Sequence, residues 1–304
     1  AGEQMSVTEQ QVFTKTPAQP VSDKNGEFKK IRIVLPGRDL IARIWQVDVG
    51  RVKLYLLDTD IEENQEQDRS ITHQLYGGNN ENRLKQEILL GIGGIRALRV
   101  LDLDPDIYHC NEGHAAFIGL ERLREYIQNE NHTYPEALEI VRSSSLFTTH
   151  TPVPAGHDYF SEDLMRAYIA HYPTRLKITW NQLMNLGKMH PNSGSEKFSM
   201  SCLAVNLSQE INGVSRVHGK VSRDMFADMW SGYLTEEIPI GHVTNGVHIP
   251  TWISKRWKDL YHKELDPEFY KKQEDRSIWA KINNVDQAEI WKIKNLERKD
   301  LIDF

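Results

Sequence analysis

The chain has 304 residues, of which 39% are hydrophobic and 26% are charged, and its formal net charge is -6. This composition is typical of a folded protein with one large or two smaller domains, and the acidic balance gives no basis for binding nucleic acid or an anionic membrane. Two cysteines are too few for a disulfide framework, so we expect a reducing, cytoplasmic compartment. The N-terminal ten residues lack the apolar core of a signal peptide, and no stretch approaches the roughly 20 apolar residues that span a bilayer.

The first part of the chain predicts a tail followed by a small antiparallel sheet. Residues 1–28 are polar and contain prolines and a glycine, a composition typical of a flexible tail or linker. Residues 31–35, 40–49 and 52–58 are rich in β-branched and aromatic side chains and are separated by short glycine turns. We expect these segments to form consecutive antiparallel strands.

From about residue 80 the pattern alternates between helices and strands. The predicted helices cover residues 81–101, 114–127, 134–142, 161–172, 176–187, 198–209 and 215–230. The predicted strands cover residues 106–110, 146–150 and 242–247, and a short apolar piece covers 211–214. Beyond residue 252 the pattern is helical, with Asp286 as the N-cap of the last helix. This order predicts an α/β fold with a Rossmann-like parallel sheet flanked by helices.

Polar segments follow three of these strands: NEGH after IYHC, HTPVPAGHD after LFTT, and TNGVHIP after HV. Doubly wound α/β domains bind ligands at the carboxyl ends of their strands. The three segments therefore predict a site at one edge of the sheet.

His150 lies where a strand stops, in a loop stiffened by Pro152 and Pro154. A neutral imidazole held in a rigid loop offers one donor and one acceptor, which suits a sugar hydroxyl. Two alternatives remain open at this point. The ring could simply cap the strand end, or it could bind a metal with His157 and Asp158, although that spacing matches no regular zinc pattern.

The segment after residue 110 begins a helix, so Asn111 could be a helix cap, whereas Glu112 and His114 could line a polar cleft. Asn245 stands in an Asn-Gly pair that marks a tight turn or presents an amide to a ligand. Trp252 is either a core residue or a stacking surface.

The run Asn212-Gly213-Val214 could bring its backbone close to a ligand or could be a plain strand-to-helix turn. The GIGG cluster (91–94) falls inside a predicted helix and not between a strand and a helix. It therefore indicates close helix packing, and dehydrogenase and P-loop functions are disfavoured.

Taken in order, these motifs resemble the α-glucan (glycogen, starch or maltodextrin) phosphorylases of the bacterial and archaeal type. The resemblance extends from about residue 30 to the C-terminus, and five segments carry it: DRSITHQLYGGNNENRLKQEILLGIGGIRAL (68–98), NEGHAAF, TTHTPVPAGHD, INGVSRVHGKVS and TNGVHIPTW. It implies a two-lobed GT-B-type glycosyltransferase fold with pyridoxal phosphate in the second lobe. It also implies transfer of the terminal glucose of an α-1,4-glucan to inorganic phosphate, which gives glucose 1-phosphate. Members of the family are often homodimers.

The resemblance also implies roles for individual residues. His150 is similar to the histidine whose side chain contacts the sugar 6-hydroxyl and whose carbonyl faces the reacting carbon, and Asn245 is similar to the asparagine that shares this contact. Seven further residues resemble positions around the glucosyl site or near the cofactor. Asn212, Gly213 and Val214 resemble the loop lining that site, Glu112, His114 and Arg83 resemble the pocket beside it, and Trp252 resembles a tryptophan near the cofactor.

Several departures from the family shape the expected organisation. No glycine-rich phosphate loop precedes residue 30, Asn79 stands in the gating loop where many relatives carry Asp, and the cofactor lysine has no counterpart before the chain ends at Phe304. We expect a tail over 1–28, an α/β lobe on the glucan side of the cleft over 29–250, and a helical segment over 251–304 that leads to the second lobe. We also expect a fragment that is inactive alone and binds no pyridoxal phosphate.

Two other functions share this fold. A non-catalytic glucan-binding or interaction module would bind oligosaccharide without turnover. A nucleotide-sugar glycosyltransferase would require a nucleotide-binding lobe, which the sequence does not show.

Overall fold

The computed structural model describes residues 15–75 and 77–304. Within them the strands are β1 (Gln19–Pro20), β2 (Lys30–Leu35), β3 (Arg38–Val49), β4 (Val52–Asp58), β5 (Tyr108–Asn111), β6 (Ser145–Thr149), β7 (Tyr159–Phe160), β8 (Phe198–Ser199), β9 (Glu210–Gly213) and β10 (Gly241–His242). The α-helices are α1 (Glu66–Arg69), α2 (Asn80–Ile88), α3 (Gly94–Val100), α4 (Phe117–Asn129), α5 (Tyr134–Ser143), α6 (Glu162–Ile169), α7 (Tyr172–Leu176), α8 (Trp180–Asn185), α9 (Met200–Asn206), α10 (Arg216–Phe226), α11 (Ile249–Trp252), α12 (Lys255–Glu264), α13 (Arg276–Ala280) and α14 (Gln287–Asp303).

β2, β3 and β4 form an antiparallel sheet in which β3 pairs with both neighbours. Alternate residues of β2 are buried and the residues between them are exposed, so one face of the sheet packs on the core. β1 pairs with β3 beyond the end of β2, and Val21 N donates to Ile44 O at 3.0 Å. The prediction of a tail over 1–28 is therefore wrong for this part of the range, because the chain covers backbone groups of β3 that β2 leaves open. Residues 1–14 of that range lie outside the described residues.

The segment predicted as one helix over 81–101 is two helices joined by a π-helical turn at Leu89–Gly93. Asn79 caps α2 by accepting a hydrogen bond from Asn82 N at 3.0 Å. A Cβ on Gly91 would lie 2.6 Å from Phe117 Cβ, and one on Gly93 would lie 2.9 Å from Ile33 Cδ1. The interpretation of the glycine cluster as close packing is confirmed for these two positions.

The second sheet is parallel, with strand order β10-β9-β6-β5. Helices α4 and α9 carry fully buried side chains into the core, among them Phe117, Leu120 and Leu203, together with Phe147 of β6. The expectation of a mixed α/β fold with a parallel sheet and helices is confirmed.

Three of the sequence predictions in this region are wrong in detail. The helix predicted over 198–209 begins later, at Met200, because Ser199 is its N-cap. Residues 198–199 instead form β8, which pairs with β7. A capping box at Thr179 starts α8 at Trp180, so the predicted helix over 176–187 is shorter. The sequence predicts a strand over 242–247, but β10 ends at His242. Its partner strand β9 ends at Gly213 and offers no further residues for strand pairing.

The chain divides into two compact units, one ending at Thr244 and the other spanning Asn245–Phe304. The second unit is helical and has two small apolar clusters. These clusters comprise Leu260, Val285 and Ile293, and Leu265, Phe269 and Ile278. The predicted cap of α14 is confirmed, since Asp286 accepts from Ala288 N at 2.9 Å. No helix in the described part of the chain is both long enough and apolar enough to cross a membrane.

Candidate functional site

The carboxyl ends of the parallel strands lie side by side. Asn111 of β5 is in register with Thr148 of β6, which is in register with Asn212 of β9. The loops that follow these strands therefore start at the same edge of the first unit. Two of them, after β5 and β6, are segments that the sequence pattern predicts at this edge, whereas the third predicted segment, TNGVHIP, runs into the second unit.

A chain of side-chain hydrogen bonds crosses the three strands. Thr148 Oγ1 donates to Asn212 Oδ1 at 2.9 Å and lies 2.7 Å from His109 Nε2. Because the threonine proton is used on Asn212, the hydroxyl oxygen accepts from His109, which fixes the Nε2–H tautomer. Asn212 Nδ2 donates to Gly213 O at 3.2 Å. The Asn212 amide is therefore held in one orientation.

Glu112 joins the loop after β5 to the loop after β6. Its Oε1 accepts from the backbone N–H of His150, from Thr151 N at 2.9 Å and from Thr149 Oγ1 at 3.3 Å. Its Oε2 accepts from Gly113 N at 3.2 Å. Burial alone would raise the pKa of this carboxyl, but the backbone N–H donors outweigh it and lower the pKa.

The backbone of Glu112 has a φ of 66°, in a region that residues with side chains seldom adopt. This conformation accompanies the turn from β5 into the 3₁₀ segment Gly113–Ala115. The carboxylate contacts hold the residue in this conformation.

The His150 side chain is exposed and hydrogen bonded through Nε2 to Asn111 Oδ1. An amide oxygen can only accept, so Nε2 carries a proton, and in the neutral form of the ring Nδ1 is then the acceptor. No described residue is bound to that Nδ1. The loop thus presents an oriented ring nitrogen to solvent. It is the backbone N–H of His150, bound to Glu112, that caps the strand end, and not the imidazole ring.

Arg83 of α2 contacts two carboxyl groups. Its Nε and Nη2 donate to Asp158 at 3.2 and 2.9 Å, and its Nε lies 3.0 Å from an oxygen of Glu87. Burial would raise the pKa of Asp158, but the hydrogen bonds from Arg83 outweigh it and lower the pKa. Asp158 lies in the loop predicted from TTHTPVPAGHD, so the predicted residue Arg83 is tied to the predicted loop.

His114 is half-buried within this group of charges. Burial lowers its pKa, and the positive charge of Arg83 lowers it further, while Glu112 and Asp158 oppose the shift. The ring is therefore neutral at pH 7, a form that pairs with uncharged hydroxyl groups.

The Asn212-Gly213-Val214 run packs on α10. A Cβ on Gly213 would lie 2.9 Å from Gly219 N, and Val214 N donates to His218 Nδ1 at 3.1 Å. Helix packing is thus a sufficient reason for a glycine here, and contact of this run with a ligand stays a prediction.

The three residues of the metal alternative have separate partners. His157 is buried with Nδ1 2.6 Å from Ser201 Oγ, Asp158 pairs with Arg83, and His150 pairs with Asn111. In residues 15–75 and 77–304, no group of three His, Cys, Asp or Glu side chains is arranged to hold a metal ion.

Asn245 and Trp252 belong to the second unit. Both side chains are exposed. Trp252 is 76% exposed and is therefore not a core residue.

Sequence reasoning missed Glu87, Thr148 and His109. A signal for Glu87 exists, because it lies on the same helical stripe as Leu84, Ile88 and Gly91 and is fully buried like them. No comparable signal exists for His109 and Thr148, since only strand register brings them together.

Comparison with known proteins decides the family. The sequence profile described as carbohydrate phosphorylase matches residues 63–304. The chain belongs to the carbohydrate phosphorylase family. It is 40% identical over 94% of its length to a protein named glycogen phosphorylase from Mycobacterium tuberculosis, of which the match covers 34%. It is 36% identical over its whole length to a protein named maltodextrin phosphorylase from Thermococcus litoralis, of which the match covers 36%.

A glycogen phosphorylase of Aquifex aeolicus is 34% identical over 93% of the chain and is covered to 40%. The chain therefore spans little more than a third of the length of these phosphorylases.

Proposed function

We propose that this chain forms the glucan side of an α-glucan phosphorylase active site. The whole protein then transfers the terminal glucose of an α-1,4-glucan to inorganic phosphate and releases glucose 1-phosphate. The observation that carries the proposal is the set of oriented hydrogen-bonding groups on His150, Asn111 and Asn212 at one sheet edge. The names of the relatives supply the substrate class.

His150 has the central role in this proposal. Its ring is fixed by Asn111, and its open Nδ1 accepts a hydrogen bond from a sugar hydroxyl, for which we take the 6-hydroxyl. Its carbonyl, held by the backbone bonds to Glu112, is a dipole that stabilises positive charge at the sugar carbon. Asn245 shares the hydroxyl contact in the assembled enzyme, and Asn212, Gly213 and Val214 line the glucosyl site.

The pocket beside this site is formed by Glu112, His114 and Arg83. The neutral imidazole of His114 serves hydroxyl recognition, while Glu112 and Arg83 act through the loops that they hold. None of these three residues is proposed to act at the reacting carbon of the sugar; that role belongs to His150.

Pyridoxal phosphate supplies the phosphate-assisted chemistry of the family, and three lysines that are buried or half-buried in the described residues already have other partners. Lys188 is buried, yet its ammonium group is bound to Ser193 O, and the lysines at positions 29 and 85 bind Val100 O and Asp68. We propose that the cofactor is held outside this chain, with Trp252 near it, in a second lobe that completes a two-lobed GT-B-type fold. The protein is proposed to be cytoplasmic, on its low cysteine content, and the resemblance implies only that family members are often homodimers.

The first test measures binding of maltoheptaose to this chain by isothermal titration, for the wild type and His150→Ala. We expect the variant to lose about fivefold or more in affinity, because a hydrogen bond to a sugar is worth about 1 kcal/mol or more when its partner is left unpaired. The circular dichroism spectrum and melting temperature should stay unchanged, since the ring is exposed.

His132→Ala is the matched control, since His132 lies between α4 and α5 and is not a sheet-edge residue. Equal affinity in all three proteins would remove His150 from the site. We also expect no release of glucose 1-phosphate from maltodextrin, phosphate and added cofactor. Robust release would show that the chain alone holds the full catalytic machinery.

A further inference from the structure

Glu87 of α2 is fully buried, and within residues 15–75 and 77–304 no N–H or O–H group donates a hydrogen bond to either of its carboxyl oxygens. Arg83 Nε lies 3.0 Å from Oε1, but its N–H is directed to Asp158. As a carboxylate, this buried group would have lost its hydration and gained only the nearby charge of Arg83, without a hydrogen-bond donor. This environment favours a carboxylic acid, which needs only an acceptor.

That acceptor is present. The Glu87 carboxyl is within hydrogen-bond reach of Asp158, whose two oxygens also receive Nε and Nη2 of Arg83. One guanidinium therefore meets two carboxyl groups. If both were ionised, the cluster would carry a net negative charge in a buried place, whereas one shared proton makes it neutral.

The other titratable groups near Glu87 do not supply the missing charge. Cys110 of β5 is buried, and its burial raises the pKa of the thiol to about 12, so it is neutral. His114 is neutral for the reasons given above. Arg83 is the only cation among the groups that interact with Glu87 in the described residues.

We propose that Glu87 is a protonated positioning residue of the sugar pocket: its carboxylic acid donates a hydrogen bond to Asp158, and the pair fixes Arg83 beside His114. This inference rests on the proposed function only in taking the ligand of the pocket to be a sugar. Glu87 touches no substrate and acts through Asp158 and Arg83.

The proton has a measurable consequence. Burial, and then the charge of Asp158, raise the pKa of Glu87 from 4.5 to about 9, while Arg83 opposes this shift. Between these two values the unfolded chain releases the proton and the folded chain keeps it. The folded state therefore loses stability as pH rises through this window, by up to about tenfold in the unfolding constant per pH unit.

The test compares the wild-type chain with Glu87→Gln by urea unfolding at pH 5.5 and 7.5. The glutamine amide donates to Asp158 but has no proton to lose. We expect the wild-type unfolding constant to rise relative to that of E87Q by up to about a hundredfold between the two pH values. E87Q should be the more stable protein at pH 7.5.

Infrared difference spectroscopy gives a second readout. The wild type at pH 7 should show the carbonyl stretch of a protonated carboxylic acid, and E87Q should lack it. A less stable E87Q at pH 7.5 together with no such band would show that Glu87 is ionised and paired with Arg83, and the proposal would fall.

The positioning role is tested by maltoheptaose affinity. E87Q should bind as the wild type does, whereas Glu87→Leu, which removes the donor at similar volume, should bind several-fold more weakly. Equal affinity of a folded E87L would refute the positioning role, and E87Q decides the proton even if E87L does not fold. A wild type that binds no maltoheptaose would refute the proposed function and leave the Glu87 unfolding and infrared results intact.

Discussion

Glu112 is the residue on which the geometry of the sheet edge depends. Its carboxylate accepts from three backbone N–H groups in two loops and from the Thr149 hydroxyl. Removal of such an acceptor leaves buried donors without partners, which costs about 1–3 kcal/mol. The orientation of His150 relative to Asn111 depends on the same contacts.

We therefore expect Glu112→Gln to lower the free energy of unfolding by about 1–3 kcal/mol at pH 7, because the glutamine NH₂ faces N–H groups. The folded-state pKa of Glu112 is below its ordinary value of 4.5, so its contribution is present above pH 4.5 and lost as pH falls through the lowered pKa. Urea unfolding of both proteins at pH 7 and pH 3 measures this. A penalty of the same size at both pH values would contradict the ionised role.

At the level of single residues, the sequence predicts which side chains are polar at a strand end but not which partners they take. His150 could be found because a polar residue follows an apolar strand and precedes two prolines. The roles of Glu112 and Arg83 could not be separated from substrate contact, since the partners that tie them to the loop after β6, the backbone of His150 and the carboxyl of Asp158, lie 38 and 75 residues away. Long-range pairing of this kind leaves no local pattern.

Among the elements, the joined helices α2 and α3 show how packing overrides propensity. Gly91 lets the π-helical turn lie directly on α4, at a point where a Cβ would also come within 2.9 Å of the Phe117 backbone carbon. Gly94 has nothing within 4 Å of its own Cβ position. Replacement by alanine should therefore change the stability of the fold in opposite directions at Gly91 and Gly94, although they lie only three residues apart.

Gly91→Ala should destabilise the chain by about 1–3 kcal/mol, because the helices must separate to admit the methyl group. Gly94→Ala should be neutral or stabilising by up to about 1 kcal/mol, because alanine favours the helix. Chemical denaturation midpoints of the two variants measure the difference. Equal midpoints would show that the contact with α4 is not tight.

The element boundaries that the sequence predicts well are those with a chemical signal. The turns at Gly37 and Gly50, both with positive φ, separate β2, β3 and β4 close to the predicted positions. The π-helical turn and the end of β10 carry no such signal. They follow from the contact of Gly91 with Phe117 and from the length of β9, which are properties of the packed fold.

For the whole molecule, the division at Thr244 and Asn245 lies close to the predicted boundary at 250. We propose that residues 243–248 connect two separately folded units, because all six are exposed and none lies in a helix or strand. Such a segment is open to proteases, whereas the sheets and helices are protected.

Limited proteolysis should accordingly cut the chain within or next to 243–248 before it cuts the strands β5, β6 and β9. Mass spectrometry of the first products measures this, and the product ending near residue 244 should resist further digestion. Early cleavage inside the parallel sheet would contradict the division. The loop 150–158 is the internal comparison, since contacts to Glu112 and Arg83 hold it.

The π-helical turn at Leu89–Gly93 bears on how related sequences should be aligned. A π turn contains one residue more than the α-helical turn it replaces, so the side chains after it are rotated by about 100° relative to an uninterrupted helix. A relative that lacks this extra residue keeps both helix faces only if its deletion falls inside the turn. A one-residue gap in this part of the family alignment therefore belongs at 89–93. A gap placed in α2 would rotate Arg83 and Glu87 away from their partners, and a gap placed in α3 would rotate its buried face away from the core.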